Sequence, residues 1–433
     1  MRIKTLIASA LTVVSIICYF TNNTLSNVIV QQDVKITQEF IKSNDLKTVM
    51  IRKAGTEFSI PAIELFSNEA IILSFDDLSE NPGTYSYTLT HCNSNWDSSS
   101  LFYSDYMDGF EVNEIRDFSF SSGTIPNYMH CKLEIPNNDV KLKISGNYLI
   151  TVFNTYNPEE ILIQKRFLVY QSLAGIEATI RQPSAGLMRY SGQQLNLAVN
   201  TGNFRVTDPF NEVTTVVCQN NISQGCFMEI KPTFIDGSII DYTRPDGLIF
   251  NGGNEYRIFD TKNIRYPGRG VSDITYKGTM FHALINTDKS RRNQKYSSIS
   301  DFNGYYAVNL EGSTQANIEA DYFWAYFSLK TPMELDEGDN VYLYGELTNW
   351  MLSPDNKMVY NPIEGIYELS LLLKQGAYNY AYVVGNSSKS TVDFTHFEGS
   401  FFDTENVYTI LVYYKPLGAR YERIIGFKQI GTL

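Results

Sequence analysis

Apolar and polar positions alternate over strand-length stretches along most of this chain. Tyr85, Tyr87, Leu89 and His91 share one face of such a stretch, and Ser86, Thr88 and Thr90 share the other. A two-residue period is what a strand with one buried face produces. Comparable runs occur at 60–65, 71–75, 131–135, 146–153 and 162–170. Turn formers separate them, Asn81-Pro82-Gly83 most plainly, because proline pre-sets φ and glycine tolerates conformations closed to other residues. Partly alternating runs at 34–41 and 46–52, parted by Ser43-Asn44-Asp45, predict an opening hairpin. The stretch 101–120 reads as a short helix or an irregular crossover. Up to residue 171 these elements amount to about seven or eight strands, the number an immunoglobulin-like sandwich needs.

Beyond residue 172 the strand pattern continues at 178–181, 194–199, 213–219, 255–260 and 279–285, with loops at 244–247 and 250–254. A third set opens with 321–329 and goes on through 341–344 and 367–384. Its Gly345-Glu-Leu-Thr-Asn-Trp350 and Gly376-Ala-Tyr-Asn-Tyr380 elements resemble early-set β-sandwiches, starch- and glycogen-binding modules among them. The expected fold class is all-β, with tandem immunoglobulin-like and early-set β-sandwich domains. The expected organisation is a leader over 1–25, an N-terminal sandwich over 27–171, a middle β domain over 172–320 and a C-terminal early-set-like sandwich over 321–433. Length agrees, since 433 residues exceed what one core normally holds.

Composition adds a compartment. Arg2 and Lys4 precede an uncharged apolar run over 5–20. A membrane span needs roughly 20 apolar residues, so this run reads as a secretory signal, cleaved between 19 and 26. Cys18 raises a lipoprotein alternative, but Ser15-Ile16-Ile17 lacks the small residue normally found before a lipidated cysteine. No later run is long and apolar enough to span a bilayer. The formal charge of −12 disfavours nucleic acid and anionic headgroups as partners. Export permits disulfides. Cys218 and Cys226 flank a hairpin-like turn where a local bridge is geometrically easy, whereas Cys92 and Cys131 would need adjacent strands; spacing leaves the connectivity open. Zinc is disfavoured, because Cys-x-x-Cys is missing and His91, His130, His282 and His396 are scattered.

Candidate chemistry is sparse. His91 and Cys92 are neighbours in a strand, so their side chains leave on opposite faces and do not converge. Trp96, after the polar turn, is expected to close one end of the sandwich core. Asp76-Asp77, or Asp236 with Asp241, offer paired carboxylates of the kind glycosidases use. The turn that follows Asp76-Asp77 favours a capping role for that pair. Nucleophile-elbow, zinc-protease and phosphate-loop motifs are missing, so no enzymatic activity and no cofactor or metal are expected. The alternative is an exported glucan-binding protein, with Trp350, Tyr342, Tyr380 and Tyr382 stacking on sugar rings. Tyr378, Tyr380 and Tyr382 share one strand face, which favours a core or an interface. The basic cluster from Lys289 to Lys295 is expected to be a solvated loop.

Several motifs together carry a resemblance. His91-Cys92-Asn93-Ser94-Asn95-Trp96, Asp105-Tyr106 with Gly109-Phe110, Ile135-Pro136-Asn137 and Ser145-Gly146-Asn147-Tyr148 resemble the type 9 secretion system plug proteins. The likeness returns at Glu398-Gly399, Thr404-Glu405-Asn406, Tyr413-Tyr414 and Arg420-Tyr421-Glu422-Arg423. Ser94-Asn95 stands where the family commonly has Ala-Asp, and Cys131 where an aromatic is more usual. The resemblance implies a periplasmic protein, associated with the outer membrane, that closes the periplasmic mouth of a large outer-membrane β-barrel translocon. It implies steric contact with that barrel, without membrane insertion and without a small-molecule substrate. The expected contact residues are Asn93, Asn95, Asp105, Tyr106, Glu398, Tyr414, Arg420 and Arg423.

Overall fold

A computed structural model describes residues 39–432, apart from 43–44, 185, 187, 222–225, 244–247, 332–334 and 387–390. The expected leader, Cys18, the loop 244–247 and most of the 34–41 run lie outside the described residues. Strand pairing sorts the described residues into three two-sheet sandwiches and a two-stranded ribbon of Met107–Asp108 with Lys141–Leu142.

In the first, one sheet orders Phe40–Ile41, Asn157–Tyr170, Gly146–Asn154, Tyr85–Cys92 and Asn113–Glu114, and Ala62–Glu64 joins it. The facing sheet orders Leu46–Lys53, Ile71–Asp77, Met129–Ile135 and Asp117–Phe120. Alternation delivers the core: Tyr85, Tyr87 and Leu89 from one sheet meet Leu73, Phe75 and Leu133 from the other. Where the expected opening hairpin is described, its two arms pair in different sheets. Phe40–Ile41 pairs with Gln164 and Ile163, whereas Leu46–Lys53 pairs with Ile71–Asp77 in the opposite sheet. A short connection between two apolar strands can cross the roughly 10 Å between sheets as readily as fold back within one. The stretch 101–120 holds one helical turn, Tyr103–Tyr106, and three short strands.

The second sandwich departs from the expected boundaries. Its first sheet contains Gly175–Arg181, Gly192–Asn200, Phe234–Asp236, Ile239–Asp241 and Ile249–Asn251. Its second sheet pairs Val213–Gln219 with Cys226–Ile230 on one side and with Val407–Tyr414 on the other, and Arg423–Gly431 follows. The third sandwich is therefore inserted between Ile249–Asn251 and Val407–Tyr414. It contains Arg257–Asp260, which was expected in the middle domain, together with Tyr322–Lys330 and Gly376–Asn386. The divisions 172–320 and 321–433 are thus replaced by a split second sandwich around a continuous third. The physical reason is burial: Val213, Val217, Ile410 and Val412 share one core, and no local period encodes that distant pairing.

Cys218 and Cys226 sit opposite each other in the ladder and are joined as a disulfide. Cys92 and Cys131 are buried thiols on facing sheets of the first sandwich, not on adjacent strands. Among the described residues no helix is long and apolar enough to cross a membrane.

Candidate functional site at the sandwich junctions

The turn after Tyr85–Cys92 is built by its own polar groups. The Asn93 N–H donates to Asp97 O and the Trp96 N–H to Asn93 O, each at 2.9 Å. Trp96 adopts φ 68°. This left-handed turn swings the indole off the end of the strand. Contrary to the expectation from the sequence, Trp96 does not close the core of its own sandwich. It packs with Cys92, Leu149 and Leu168 against Val216, Leu411, Tyr413 and Ile424 of the second sandwich. The Arg166 guanidinium lies 4.5 Å from the indole centroid, a cation–π arrangement.

His91 faces inward. Its Nδ1 is 3.0 Å from Ser99 Oγ, and its ring meets Tyr148 and Tyr421 edge-on. Burial pushes its pKa down to about 4, so the ring is neutral. The glycine of Ser145-Gly146-Asn147-Tyr148 makes room for it: a Cβ on Gly146 would sit 2.1 Å from His91 Nε2. Asn147 then bridges the sandwiches. Its amide nitrogen donates to Asn93 O at 2.9 Å, and its carbonyl accepts the Tyr413 hydroxyl at 2.8 Å. The loop before Arg423–Gly431 closes over the same turn. The Ser94 N–H donates to Glu422 Oε2 at 2.6 Å, and Arg420 pairs with Asp105 at 3.1 Å.

A second junction joins the first sandwich to the third. Asp76 is fully buried; its Oδ2 accepts Lys374 Nζ and the Tyr322 hydroxyl at 2.6 Å each, and its Oδ1 lies 2.6 Å from His130 Nδ1. Burial draws the Lys374 pKa down, and Asp76 opposes that fall. Arg52 pairs with Glu346 at 2.5 Å and also donates to Tyr306 O at 2.6 Å. Of the Asp76-Asp77 pair expected to cap the turn, Asp76 turns to the junction instead, whereas Asp77 does cap it, its carboxylate accepting the Ser79 and Gly83 N–H groups. Burial opposes its ionisation, but those donors and Tyr85 hold its pKa below the usual carboxylate range.

A third cluster sits inside the third sandwich. Glu398 is fully buried and accepts Arg257 Nε at 2.9 Å, Arg291 Nε at 2.8 Å and the Tyr382 N–H at 3.0 Å. Burial opposes its charge, yet the two guanidinium groups outweigh it and hold the carboxyl below its ordinary range. Arg291 therefore leaves the expected solvated basic loop and turns inward. Trp350, Tyr342, Tyr380 and Tyr382 are buried too, so the aromatics of the glucan-binding alternative present no face to a sugar.

The residues expected to touch a partner are mostly spent within the chain. The Asn93 carbonyl is bonded by Asn147 within the first sandwich, Asp105 and Arg420 tie the first two sandwiches together, and Tyr106 is buried with its hydroxyl donating to Leu89 O. Glu398 anchors the third sandwich. Arg423 lies 5.6 Å from the Tyr414 ring, within the second sandwich. Asn95 and Arg420 keep solvent exposure. Sequence reasoning missed Asp76 with Lys374 and Arg52 with Glu346 as partners. One available signal was Lys374 ending the apolar run Leu371-Leu372-Leu373, an unusual place for a charge unless it is paired. Chemically, Asp76, Glu346 and Glu398 are each met by fixed cationic partners, and among the described residues no group of acidic, histidine or cysteine side chains is placed to hold a metal.

Residues 46–171 match the model of the type 9 secretion system plug protein first domain. The chain belongs to the type 9 secretion system plug family. The match covers most of the first sandwich, including the His91–Trp96 turn and the Asn147 bridge. A crystal structure of a hypothetical protein from Parabacteroides merdae ATCC 43184 is 34% identical, with a TM-score of 0.88, covering 92% of this chain and 99% of that one. The collagen adhesin (CNA) from S. aureus, 7% identical with a TM-score of 0.10, carries no argument. No curated protein matches. Plug-family membership ties the chain to type 9 secretion and points to a structural rather than a catalytic role.

Proposed function

We propose that this protein occludes the periplasmic mouth of the outer-membrane translocon barrel of the type 9 secretion system. The observation that carries the reading is the plug-family match over 46–171. The junctions support it. An occluding body must not come apart when pressed against a pore, and here the first sandwich is bonded to both the second and the third through buried contacts. Separating the first from the third would strand Asp76 and Lys374, which are 0% and 1% exposed. Uncompensated buried charge costs several kcal/mol, so the pair resists hinging. Occlusion then needs surface complementarity and reversible release, with no reaction chemistry. The protein acts in the periplasm, against the barrel and outside the bilayer. The test is affinity purification of the full chain from the outer-membrane fraction. A large β-barrel protein should be retained in near-stoichiometric amount. Retention on a glucan resin with no barrel recovered would overturn the reading.

A further inference from the structure

We propose that Asp117–Phe120 is the edge on which the barrel docks, by taking up an extended barrel segment whose side chains alternate apolar and basic. The proposal rests on the occlusion reading. Asp117–Phe120 ends its sheet, beyond Met129–Ile135, and all four residues are exposed. The Ser121 N–H donates to Tyr128 O at 2.9 Å, which fixes the phase of the ladder. In an antiparallel pair the bonded positions alternate. Asp117 and Ser119 therefore turn their backbone groups inward, to Lys132 and His130, while Phe118 and Phe120 turn theirs outward.

An edge of this kind is a template for another strand unless it is protected. Protection by proline, a central lysine or a bulge is missing from Asp117–Phe120. Instead it carries two aromatic rings 6.0 Å apart, 50% and 63% exposed. They lie on the side of Cys131 and Met129, their ladder partners, yet emerge past the core those residues fill. Phe110 and Val112, also exposed, precede Asn113–Glu114, the edge of the facing sheet. The two edges are joined through residues 115–116 and so lie on one side of the sandwich.

Charge selects the occupant. Glu111, Glu114 and Asp117 stand exposed along this side. Arg116 lies 3.0 Å from Asp139 and 3.8 Å from Glu114, and Lys132 lies 4.0 Å from Asp117; the last two are long contacts between exposed groups that leave these carboxylates open to a further cation. A second copy would bring the same carboxylates and a further formal charge of −12. A segment with alternating basic side chains would meet the acidic flank while its apolar residues covered Phe118 and Phe120.

The experiment uses the full-length tagged protein made in its secreting host. Phe118→Pro and Phe120→Pro remove outward N–H groups that bond nothing within the sheet, so the fold should persist. Phe118→Leu and Phe120→Leu keep the N–H and an apolar surface. Wild type and the leucine variants should retain the β-barrel, and each proline variant should retain it about tenfold less. Benzoylphenylalanine at Asp117 should cross-link to the barrel on irradiation. Equal retention by the proline variants, with wild type holding the barrel, overturns the docking edge and leaves the occlusion reading standing. No barrel retained by wild type overturns both. Should a proline lower the unfolding midpoint, the cross-link decides: an adduct with a second copy, or none, overturns the proposal.

Discussion

Replacing Lys374 by methionine tests how firmly the first and third sandwiches are joined. Lys374 Nζ lies 2.6 Å from Asp76 Oδ2 and 2.6 Å from Asn317 O, and 4.0 Å from the Tyr128 ring centroid. The side chains of the pair are 1% and 0% exposed, so solvent screening gives no relief. Lys374→Met fills a similar volume but leaves the Asp76 carboxylate with Tyr322 and His130 alone. Breaking a buried pair from one side costs about 3–5 kcal/mol, and the two remaining contacts favour the lower end. Asp76→Asn combined with Lys374→Met removes both charges and should cost about 1–2 kcal/mol, less than either single change. The double-mutant cycle should therefore show a coupling of at least ~2 kcal/mol. Urea unfolding of the full chain, followed by tryptophan fluorescence, measures each value. Lys374→Met should also broaden the transition, because one of the ties that couple the first sandwich to the third is lost. A loss under about 1 kcal/mol, or a double mutant equal to the sum of the singles, would refute the reasoning.

Three further outcomes follow from the same contacts. Trp96→Ala should cost about 3–5 kcal/mol and weaken the seam between the first and second sandwiches; unchanged denaturant unfolding would contradict its placement. His91 has a folded pKa of about 4 against 6.5 when exposed; the folded state thus binds fewer protons between those values, and stability falls as pH drops through that window. Wild type should accordingly lose roughly 3 kcal/mol of its advantage over His91→Gln between pH 7 and 4, and parallel stability curves would exclude a buried neutral ring. Removing the disulfide with Cys218→Ser and Cys226→Ser should cost about 2–3 kcal/mol for so short a closed loop, read from the thermal midpoint under oxidising conditions; no change would argue against the bond.

Tyr85–Cys92 was legible because Tyr85, Tyr87 and Leu89 alternate toward one core with Ser86, Thr88 and Thr90 on the other face, and a period of two records that directly. The hairpin at 46–52 misled because its apolar face fits either sheet, and only the partner strand decides which. The inserted third sandwich was invisible for a related reason: Val213–Gln219 and Val407–Tyr414 carry compatible faces, but nothing local links them. Trp96 was legible as buried and illegible as a seam residue, since a tryptophan beyond a turn can pack in either direction. The assignments of Asn93, Asp105, Glu398 and Arg420 to a partner surface followed the loops and motifs that carry the family resemblance, which say nothing of what each residue meets within the chain. Their neighbours within the chain, Asn147 for the Asn93 carbonyl, Arg257 and Arg291 for Glu398 and Arg420 for Asp105, are distant in sequence and meet only in the folded chain.

The central claim is that this body fills a hole, and permeability measures that directly. A strain lacking the protein but retaining the barrel should take up a large antibiotic or polar dye that the parent excludes, and a strain lacking both should be tight again. Uptake that persists without the barrel, or a single deletion as impermeable as the parent with the barrel present, would contradict the account.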